Sequence, residues 1–284
     1  MASRKRTVLV TGCTEGSAGH ALAREFHAKG FEVYATARST AKMASLQPLG
    51  IRTLPLDITS DDSIQACVQE VPQLDILVNN AGASLTMPIV DLSIQEAKAL
   101  FDANVWGHLA VIQAFLPLLL KSPKAMIVNH TSVAVTMAIP YQAVYNASKA
   151  CLSSFSDTLR LELQPFDIAV VELRSGGIKT NIFGHSAKKP VLPAGSIYAP
   201  ARETVETSLR QEWFADVGIS PEQWAREIVR DLSKKHPPPR TIWRGESAFG
   251  AWLSTFFPSS SLDANVRKMV GFDKAEQIIR ERRK

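Results

Sequence analysis

The stretch that decides the fold reads Thr11-Gly12-Cys13-Thr14-Glu15-Gly16-Ser17-Ala18-Gly19. It follows an apolar run at residues 7–10 and leads into a helical pattern at residues 18–29. Glycines allow a tight turn and a close approach of the backbone to a pyrophosphate, and a helix N-terminus attracts phosphate through its N–H groups and dipole. The stretch therefore predicts a phosphate-binding turn. Taken alone, it leaves a plain Gly-rich connection as the alternative.

Apolar runs and helical patterns alternate over the first two-thirds of the chain. The runs lie at residues 7–10, 31–36, 52–56, 75–79, 125–129 and 167–173, with long helical patterns at 93–120 and 145–164. Runs without polar alternation are typical of strands that are buried on both faces. The alternation predicts an α/β fold with a doubly wound parallel sheet and right-handed crossovers.

The rhythm changes after about residue 180. Residues 188–201 are rich in Pro and small side chains and predict a loop, whereas residues 221–234 look helical, with Pro221 suited to a first turn. Three consecutive prolines at 237–239 mark a break. We therefore predict one domain over residues 1–240, followed by a helical and aromatic C-terminal extension at 241–284.

Composition excludes several classes of protein. The 284 residues carry a net charge of +5, with 45% hydrophobic and 21% charged residues, as in ordinary globular proteins. The basic residues form no stripe of the kind that binds nucleic acid, so we expect no such partner. Cys13, Cys67 and Cys151 fit neither a zinc site nor a disulfide framework, which indicates free thiols in a reducing compartment and no bound metal. Residues 1–6 are polar, without an apolar signal segment, and favour a cytoplasmic location.

One uncharged stretch, residues 103–120, is long enough to raise the question of a membrane span. It contains Asn104, His108, Gln113 and Pro117, which are poor choices for a helix that faces lipid. We therefore predict a long helix buried within the protein.

The end of the second strand indicates which dinucleotide the turn would bind. An acidic residue there would bind the adenosine ribose hydroxyls and select NAD. This chain has Arg38, a cation suited to a 2′-phosphate, with Ser39 and Thr40 as further donors. The pattern favours NADP, although Glu15 in the Gly-rich turn would repel that phosphate and Arg38 is alternatively a solvated surface charge.

Two further strand ends carry residues suited to a nucleotide. Asp57 follows the third strand, where it would meet the adenine edge. Asn79-Asn80-Ala81-Gly82 ends the fourth strand, where small residues let a nucleotide lie close and an Asn ties neighbouring loops together. Either signal is weak without the other.

Tyr145 and Lys149 are the candidate proton-transfer pair. They lie four residues apart and so share one face of the predicted helix. A phenol titrates near pH 10, and a nearby ammonium would lower its pKa towards neutral pH. Lys149 would also hold the nicotinamide ribose. Ser132, just past the fifth strand, would bind the substrate oxygen beside Tyr145.

Three neighbouring residues have competing interpretations. Asn104 would anchor a water that relays protons from Lys149, or it is a buried polar group bonded to nearby backbone. Tyr141 lacks a lysine at the spacing of Tyr145 and Lys149 and is interpreted as a pocket or surface aromatic. His130 has no carboxylate partner of the triad kind and is interpreted as structural. The chain contains no Gly-x-Ser-x-Gly motif, so a hydrolase of the nucleophile-elbow type is disfavoured.

In order and spacing, the Gly-rich turn, Asn79–Gly82, Asn104, Ser132, Tyr145 and Lys149 resemble the classical short-chain dehydrogenase/reductase family over residues 5 to about 185. The resemblance implies a Rossmann-like single domain that transfers hydride at a carbonyl or hydroxyl carbon, with Asn104, Ser132, Tyr145 and Lys149 as the catalytic set. It also implies a homodimer or homotetramer, with the helices around 101–120 and 145–164 as the interface.

The residues expected to bind the dinucleotide are Gly12, Thr14, Glu15, Gly16, Gly19, Arg38, Ser39, Asp57, Asn79, Ala81, Gly82, Tyr145, Lys149, Ile178 and Thr180. The resemblance implies that the Ile178 backbone and Thr180 contact the nicotinamide carboxamide. Two departures from the family pattern are the pair Ser17 and Ala18 between the last glycines, where one residue is usual, and Ser175 where a Pro is usual. The lengthened turn and the Trp-rich tail are similar to fungal reductases of the 1-acyldihydroxyacetone-phosphate type.

We therefore expect NADPH-dependent reduction of a carbonyl, or the reverse oxidation, on a hydrophobic small molecule such as a lipid or secondary-metabolite intermediate. Residues 182–219 are expected to form a substrate lid. Its apolar residues line a pocket or belong to the core: Phe183, Leu192, Tyr198, Trp213 and Phe214. A non-redox isomerase, cyclase or binding protein on the same fold is the alternative.

The C-terminal tail combines aromatic and basic residues. Its members are Trp243, Trp252, Phe256, Phe257, Arg267 and Lys268. Such a surface would contact a membrane or lipid droplet, which would place the protein at the periphery of the endoplasmic reticulum or of droplets. Packing at a subunit interface is the alternative that we favour.

Overall fold

The computed structural model describes residues 4–181, 189–211, 214, 217–234 and 236–283. The strands in this part of the chain are β1 (Thr7–Thr11), β2 (Glu32–Ala37), β3 (Arg52–Pro55), β4 (Ile76–Asn79), β5 (Met126–His130), β6 (Ala169–Ser175) and β7 (Thr241–Arg244). They form one parallel sheet in the order β3-β2-β1-β4-β5-β6-β7. The predicted doubly wound, single-domain α/β fold is confirmed.

Helices cover both faces of this sheet. In the described part of the chain they are α1 (Ala18–Ala28), α2 (Asp61–Gln69), α3 (Ile94–Phe101), α4 (Gly107–Leu119), α5 (Ala143–Glu162), α6 (Arg202–Leu209), α7 (Pro221–Lys234), α8 (Ala248–Ser254), α9 (Asp263–Met269) and α10 (Phe272–Glu281). α1 and α7 pack on one face, and α2, α4 and α5 pack on the other.

The apolar runs are buried on both faces because successive strand side chains point to opposite sides. In β1, Val8 and Val10 join the core under α1 and α7, whereas Leu9 joins the core under α4. All three side chains are fully buried. This arrangement places the carboxyl ends of β1, β2, β4, β5 and β6 along one edge of the sheet, where ligands bind in folds of this kind.

The predicted long helix at 93–120 is interrupted. α3 and α4 are separated by a π-helical turn at Asp102–Trp106, which adds a residue to the helical turn and is a frequent feature of functional sites. The continuous run Ile94–Leu119 is long and apolar enough to cross a membrane by length and composition. In this structure Val111, Phe115 and Leu119 are fully buried in the core beneath α4.

β7 was not predicted from the sequence; it consists of four residues and opens the predicted extension. Ile242 joins the core, and Arg244 pairs in register with Ser175 of β6. Just beyond this pairing the two segments cross so closely that a Cβ on Gly176 would lie 2.0 Å from the carbonyl oxygen of Glu246. The start of the extension is thereby part of the sheet. Whether residue 240 is a domain boundary stays a prediction.

Candidate active site

The loops that follow β1 and β4 touch at two glycines of the Gly-rich turn. Gly12 has φ +75°, and a Cβ there would lie 2.7 Å from Cα of Ala81. A Cβ on Gly19 would lie 2.5 Å from the carbonyl oxygen of Gly12. Side chains at these two positions would therefore force the turn and the loop after β4 apart.

The helix that follows this turn keeps its positive end accessible. Ser17 caps α1: its Oγ accepts a hydrogen bond from His20 N (3.1 Å) and donates one to Gly12 O (2.9 Å). The first turn of α1 contains no acidic residue. Glu15 precedes the cap and is exposed. Thr14 and Gly16 lie in the same turn, so the predicted phosphate-binding residues are contiguous.

Arg38 and Asp57, the residues predicted to bind the adenosine part of a dinucleotide, follow neighbouring strands. Arg38 follows β2 and is exposed, and Asp57 follows the neighbouring strand β3. Hydrogen bonds from Thr59 lower the pKa of Asp57, and the positive charge of Arg38 lowers it further. Ser39 lies beside Arg38 and precedes the 3₁₀ helix Thr40–Leu49. Arg38, the predicted phosphate ligand, therefore lies close to Asp57, the predicted adenine contact.

Ser132 and Tyr145 are brought together. Ser132 follows β5 and caps a short 3₁₀ turn, where its Oγ accepts a hydrogen bond from Ala134 N (3.1 Å). Tyr145 projects from the first turn of α5. Burial raises the pKa of Tyr145, and a hydrogen bond with Ser132 lowers it to a smaller extent. The expectation that Lys149 lowers this pKa is corrected, because burial has the dominant effect.

Lys149 lies one helical turn further along α5. Its Nζ donates a hydrogen bond to the carbonyl oxygen of His130 (2.9 Å) and lies 5.9 Å from the ring centre of Tyr145. The side chain is only 5% exposed, and burial lowers its pKa to about 8. The hydrogen bond to the backbone at the end of β5 therefore holds the ammonium near the ring of Tyr145.

Asn104 ties the site to two neighbouring segments from the π-helical turn. Its Oδ1 accepts a hydrogen bond from Ala83 N (2.8 Å), and its Nδ2 donates to Ala83 O (3.0 Å) and Ser148 Oγ (3.1 Å). A Cβ on Gly82 would lie 3.3 Å from Asn104 Oδ1 and 3.6 Å from Lys149 Nζ, so the glycine leaves this space open. The two bonds to Ala83 agree with the alternative interpretation of Asn104, a buried amide bonded to nearby backbone. The water relay stays a prediction.

The side chain of Asn79 does not face the site, which corrects its predicted role there. It is 1% exposed, and its Nδ2 donates to Asn129 Oδ1 (3.0 Å) and His108 O (3.4 Å) inside the protein. The reason is strand alternation, which turns the next residue, Asn80, to the other side. Asn80 Nδ2 donates to Thr11 O (2.8 Å) and joins the loops after β4 and β1.

The segment after β6 lies against the Gly-rich turn. The side chain of Ile178 is buried in the core, and Thr180 N donates to Ile178 O (2.8 Å). A Cβ on Gly16 would lie 2.4 Å from Nδ2 of Asn181, so this segment meets the Gly-rich turn. Asn181 was missed by the sequence analysis, since an exposed Asn after a strand carries no distinctive signal.

An apolar cluster adjoins Tyr145. Tyr141, Leu192 and Tyr198 pack within it, together with residues of α6, α9 and α10. Of the predicted lid, residues 182–188, 212–213 and 215–216 lie outside the described residues, and with them Phe183 and Trp213. The described part of the lid therefore supplies an apolar wall beside the tyrosine.

The residues present fit a dinucleotide. The turn after β1 offers a helix N-terminus beside glycines that keep the backbone accessible, and Arg38 lies at the end of β2. In the part of the chain that the structure describes, no group of three or more His, Cys, Asp or Glu side chains is placed to hold a metal ion. The sequence model of the short chain dehydrogenase family matches residues 6–190.

The chain belongs to the short-chain dehydrogenase family.

Curated members of the short-chain dehydrogenase family match almost the whole chain. A short-chain dehydrogenase/reductase of Pestalotiopsis microspora, GME11361, is 49% identical over 282 residues and covers 99% of both chains. The NADPH-dependent 1-acyldihydroxyacetone phosphate reductase of Schizosaccharomyces pombe is 36% identical over 281 residues and covers 94% of both. The predicted resemblance to the family, and to reductases of this fungal type, is confirmed.

A solved short-chain dehydrogenase from Streptomyces avermitilis shares the fold of this member of the family. The two structures superpose with a TM-score of 0.76 at 24% identity, over 97% of this chain and 98% of that one. At this identity the likeness shows the fold alone. The oxidoreductase class therefore follows from the family, and the substrate must be argued from the site.

Proposed function

We propose that the protein reduces a carbonyl group of a hydrophobic small molecule with NADPH, or catalyses the reverse oxidation. The observation that carries the proposal is that Ser132 lies beside Tyr145, next to the buried Lys149 and to an apolar cluster. A bound dinucleotide would supply the hydride. The chain's own residues would bind and protonate the substrate oxygen.

Each member of the catalytic set has a distinct task in this proposal. Ser132 Oγ and the hydroxyl of Tyr145 bind the carbonyl oxygen, and Tyr145 donates the proton as negative charge develops there. Because burial raises the pKa of Tyr145, the phenol keeps its proton at neutral pH and is available as an acid. Lys149, whose Nζ lies 5.9 Å from the ring centre of Tyr145, would hold the nicotinamide ribose, and Asn104 fixes the loop at Ala83 against α5.

The preference for NADP over NAD rests on Arg38. Arg38 is exposed at the end of β2, where its guanidinium would bind a 2′-phosphate, with the neighbouring Ser39 as a further donor. The relative from Schizosaccharomyces pombe is named as NADPH-dependent, which supports the same choice. Glu15 opposes it through its charge, so the preference reflects the balance of these two side chains.

The substrate class follows from the apolar cluster beside Tyr145. Tyr141 and Tyr198 meet edge to face, with ring centres 6.0 Å apart, and Leu192 is almost fully buried among them. A hydrophobic ketone, as in a lipid or secondary-metabolite intermediate, fits such a wall. The name of the Schizosaccharomyces pombe relative, a reductase of 1-acyldihydroxyacetone phosphate, is consistent with this class.

Consumption of NADPH with a panel of hydrophobic ketones tests the proposal. Tyr145→Phe removes the proton donor, and we expect turnover to fall by about 10²–10⁴-fold. Tyr34→Phe is the matched control, because it also removes a tyrosine hydroxyl. The hydroxyl of Tyr34, on β2, accepts a hydrogen bond from Arg52 (2.8 Å) and not from a residue of the candidate site. Unchanged turnover in Tyr145→Phe would contradict the assignment. Conversion of a substrate without NADPH consumption would favour the non-redox alternative.

We also propose a cytoplasmic homodimer or homotetramer. A groove of ≈ 570 Å³ between α3, the π-helical turn and α5 is lined by apolar side chains, and Trp106 there is 53% exposed. α8 and the residues that follow it carry a second apolar surface, which we call the aromatic face: Phe249, Trp252, Leu253, Phe256 and Phe257. The mass in solution of Trp106→Glu, compared with the wild type, tests the groove as an interface.

A further inference from the structure

His130 is engaged on both ring nitrogens and on one ring face. It ends β5, between β4 and β6. Its Nδ1 lies 2.9 Å from Asn80 Oδ1, and its Nε2 lies 2.7 Å from Ser175 Oγ. The ring stacks on the fully buried Trp224 of α7, with ring centres 5.1 Å apart. These three contacts fix the position and orientation of the imidazole ring.

These contacts determine the tautomer of His130. Asn80 Nδ2 donates to Thr11 O (2.8 Å) and Gly12 O (3.3 Å), so its Oδ1 is the atom that faces the histidine. An amide oxygen only accepts hydrogen bonds, so Nδ1 of His130 carries the proton. Burial and the charge of Lys149 lower the pKa of His130 to about 3, and the ring is neutral. Its Nε2 therefore accepts from the hydroxyl of Ser175.

The resulting chain of hydrogen bonds crosses four neighbouring strands at their carboxyl ends. It runs from Ser175 of β6, through His130 of β5 and Asn80 after β4, to Gly12 after β1. The backbone oxygen of His130 also accepts the hydrogen bond from Lys149 Nζ. Through its side chain and its backbone oxygen, His130 thus connects the Gly-rich turn, the ammonium and the end of β6.

We propose that His130, as the neutral Nδ1–H tautomer, is a positioning residue that holds these segments at the spacing a bound dinucleotide requires. The inference rests on the dinucleotide site of the proposed function. Ser175 stands where the family usually has a Pro, which has no hydroxyl to donate. The hydrogen bond between His130 and Ser175 therefore departs from the usual family pattern at this position.

Substitution of His130 by Phe tests this role. His130→Phe keeps an aromatic ring on Trp224 and removes both ring hydrogen bonds. We expect the Kd for NADPH, measured by fluorescence titration, to rise by about tenfold, which corresponds to about 1.4 kcal/mol, with the KM for the ketone unchanged. Ser175→Ala should raise the Kd by about threefold. The double variant should bind no more weakly than His130→Phe, because both changes break the same connection.

Ser156→Ala is the matched control for the loss of a buried hydrogen bond. Ser156 is 3% exposed, accepts from Asn129 Nδ2 (2.9 Å) and donates to Leu152 O (2.7 Å), away from the groove. We expect it to lower the melting temperature and to leave the Kd for NADPH unchanged. A structural role for His130 would give the same result in His130→Phe.

Three outcomes would overturn the inference. They are an unchanged Kd in folded His130→Phe, additive effects of His130→Phe and Ser175→Ala, and a proton on Nε2 in the ¹⁵N NMR spectrum of the wild type. The NMR measurement and Ser175→Ala decide the question if His130→Phe does not fold. Failure of the wild type to bind NADPH would instead contradict the proposed function, since the tautomer is measured without the dinucleotide.

Discussion

The carboxyl edge of the sheet and the aromatic face of α8 are organised in opposite ways. At the edge, polar groups from four loops are bonded to one another, as in the connection between Asn80 and Thr11. On the aromatic face, large apolar side chains are exposed, with Phe249 at 72% and Phe256 at 68%. The two regions meet where Ala248 and Ala251 of α8 pack on Val133, the residue after Ser132.

The two regions differ in how strictly the identity and geometry of their side chains are constrained. A buried hydrogen bond needs one donor and one acceptor in a fixed geometry, and an unpaired group there costs about 1–3 kcal/mol. An exposed apolar surface needs only side chains of the right polarity. Substitutions at the edge should therefore change binding and stability strongly, whereas substitutions on the aromatic face should leave the chemistry intact.

The largest effect is expected at Gly12. Gly12→Ala puts a methyl group 2.7 Å from Ala81 Cα, at a φ of +75°. We expect NADPH affinity, measured by titration, to fall by more than about 100-fold, because the loops after β1 and β4 must move apart. Gly30→Ala is the control: Gly30 has φ +85° with nothing within 4 Å of its Cβ. It should cost about 1–2 kcal/mol of backbone strain and leave NADPH binding unchanged.

The next effect concerns the stability of the protein against pH. Burial lowers the pKa of Lys149 from 10.5 to about 8. Between these values the unfolded chain binds a proton that the native chain does not, so stability rises with pH across this window. We expect the wild type to gain on the order of 3 kcal/mol there relative to Lys149→Met, in urea unfolding at several pH values.

The control for this measurement is Lys179→Met, which replaces an exposed lysine and should keep the rise seen in the wild type. Parallel stability curves for the wild type and Lys149→Met would show that the ammonium of Lys149 is not destabilised by burial.

A smaller effect is expected on the choice of cofactor. Arg38→Ala removes the cation at the end of β2, and we expect the ratio of kcat/KM for NADPH over NADH to fall by about 10–100-fold, as for a lost charge-assisted hydrogen bond. Arg24→Ala removes another exposed cation, on α1, and should not alter the ratio. Glu15→Gln should raise it. An unchanged ratio in Arg38→Ala would make Arg38 a solvated surface charge.

The smallest effect on turnover is expected on the aromatic face. Trp252→Ser combined with Phe256→Ser should leave turnover of a small soluble ketone unchanged. We expect the double variant to have a lower mass in solution, since we favour a subunit interface there. Phe166→Ser is the control, because Phe166 is 59% exposed and lies far along the chain from α8. Flotation of the wild type with liposomes, lost in the double variant, would instead identify a lipid surface.

The sequence predicted the parts of the molecule whose signal is local. The runs that became β1 to β6 are apolar throughout, and the glycines of the turn after β1 have one physical explanation. β7 escaped prediction because four residues with one buried side chain, Ile242, carry little periodicity. The π-helical turn at Asp102–Trp106 escaped for another reason: five residues within a long apolar run are too few to reveal a local change of helical period.

In the candidate site, the sequence indicated candidate residues, but it could not indicate their partners. The spacing of Tyr145 and Lys149 placed both on one helix face, but it did not show that Lys149 bonds the backbone of His130. The same holds for Asn79 and Asn80, where strand alternation decides which side chain faces the groove. Contacts of this kind join segments far apart in the sequence, so one sequence alone carries no signal for them.

The crossing of Gly176 and Glu246 has a consequence for how the protein is made. The segment after β6, expected to hold the nicotinamide, is tied to β7 by backbone hydrogen bonds from Gly176 to Arg244 (2.9 Å) and from Gly177 to Glu246 (2.9 Å). A chain still on the ribosome completes β1 to β6 well before these partners emerge. The segment after β6 can therefore reach its final position only after residues 244–246 have left the ribosome.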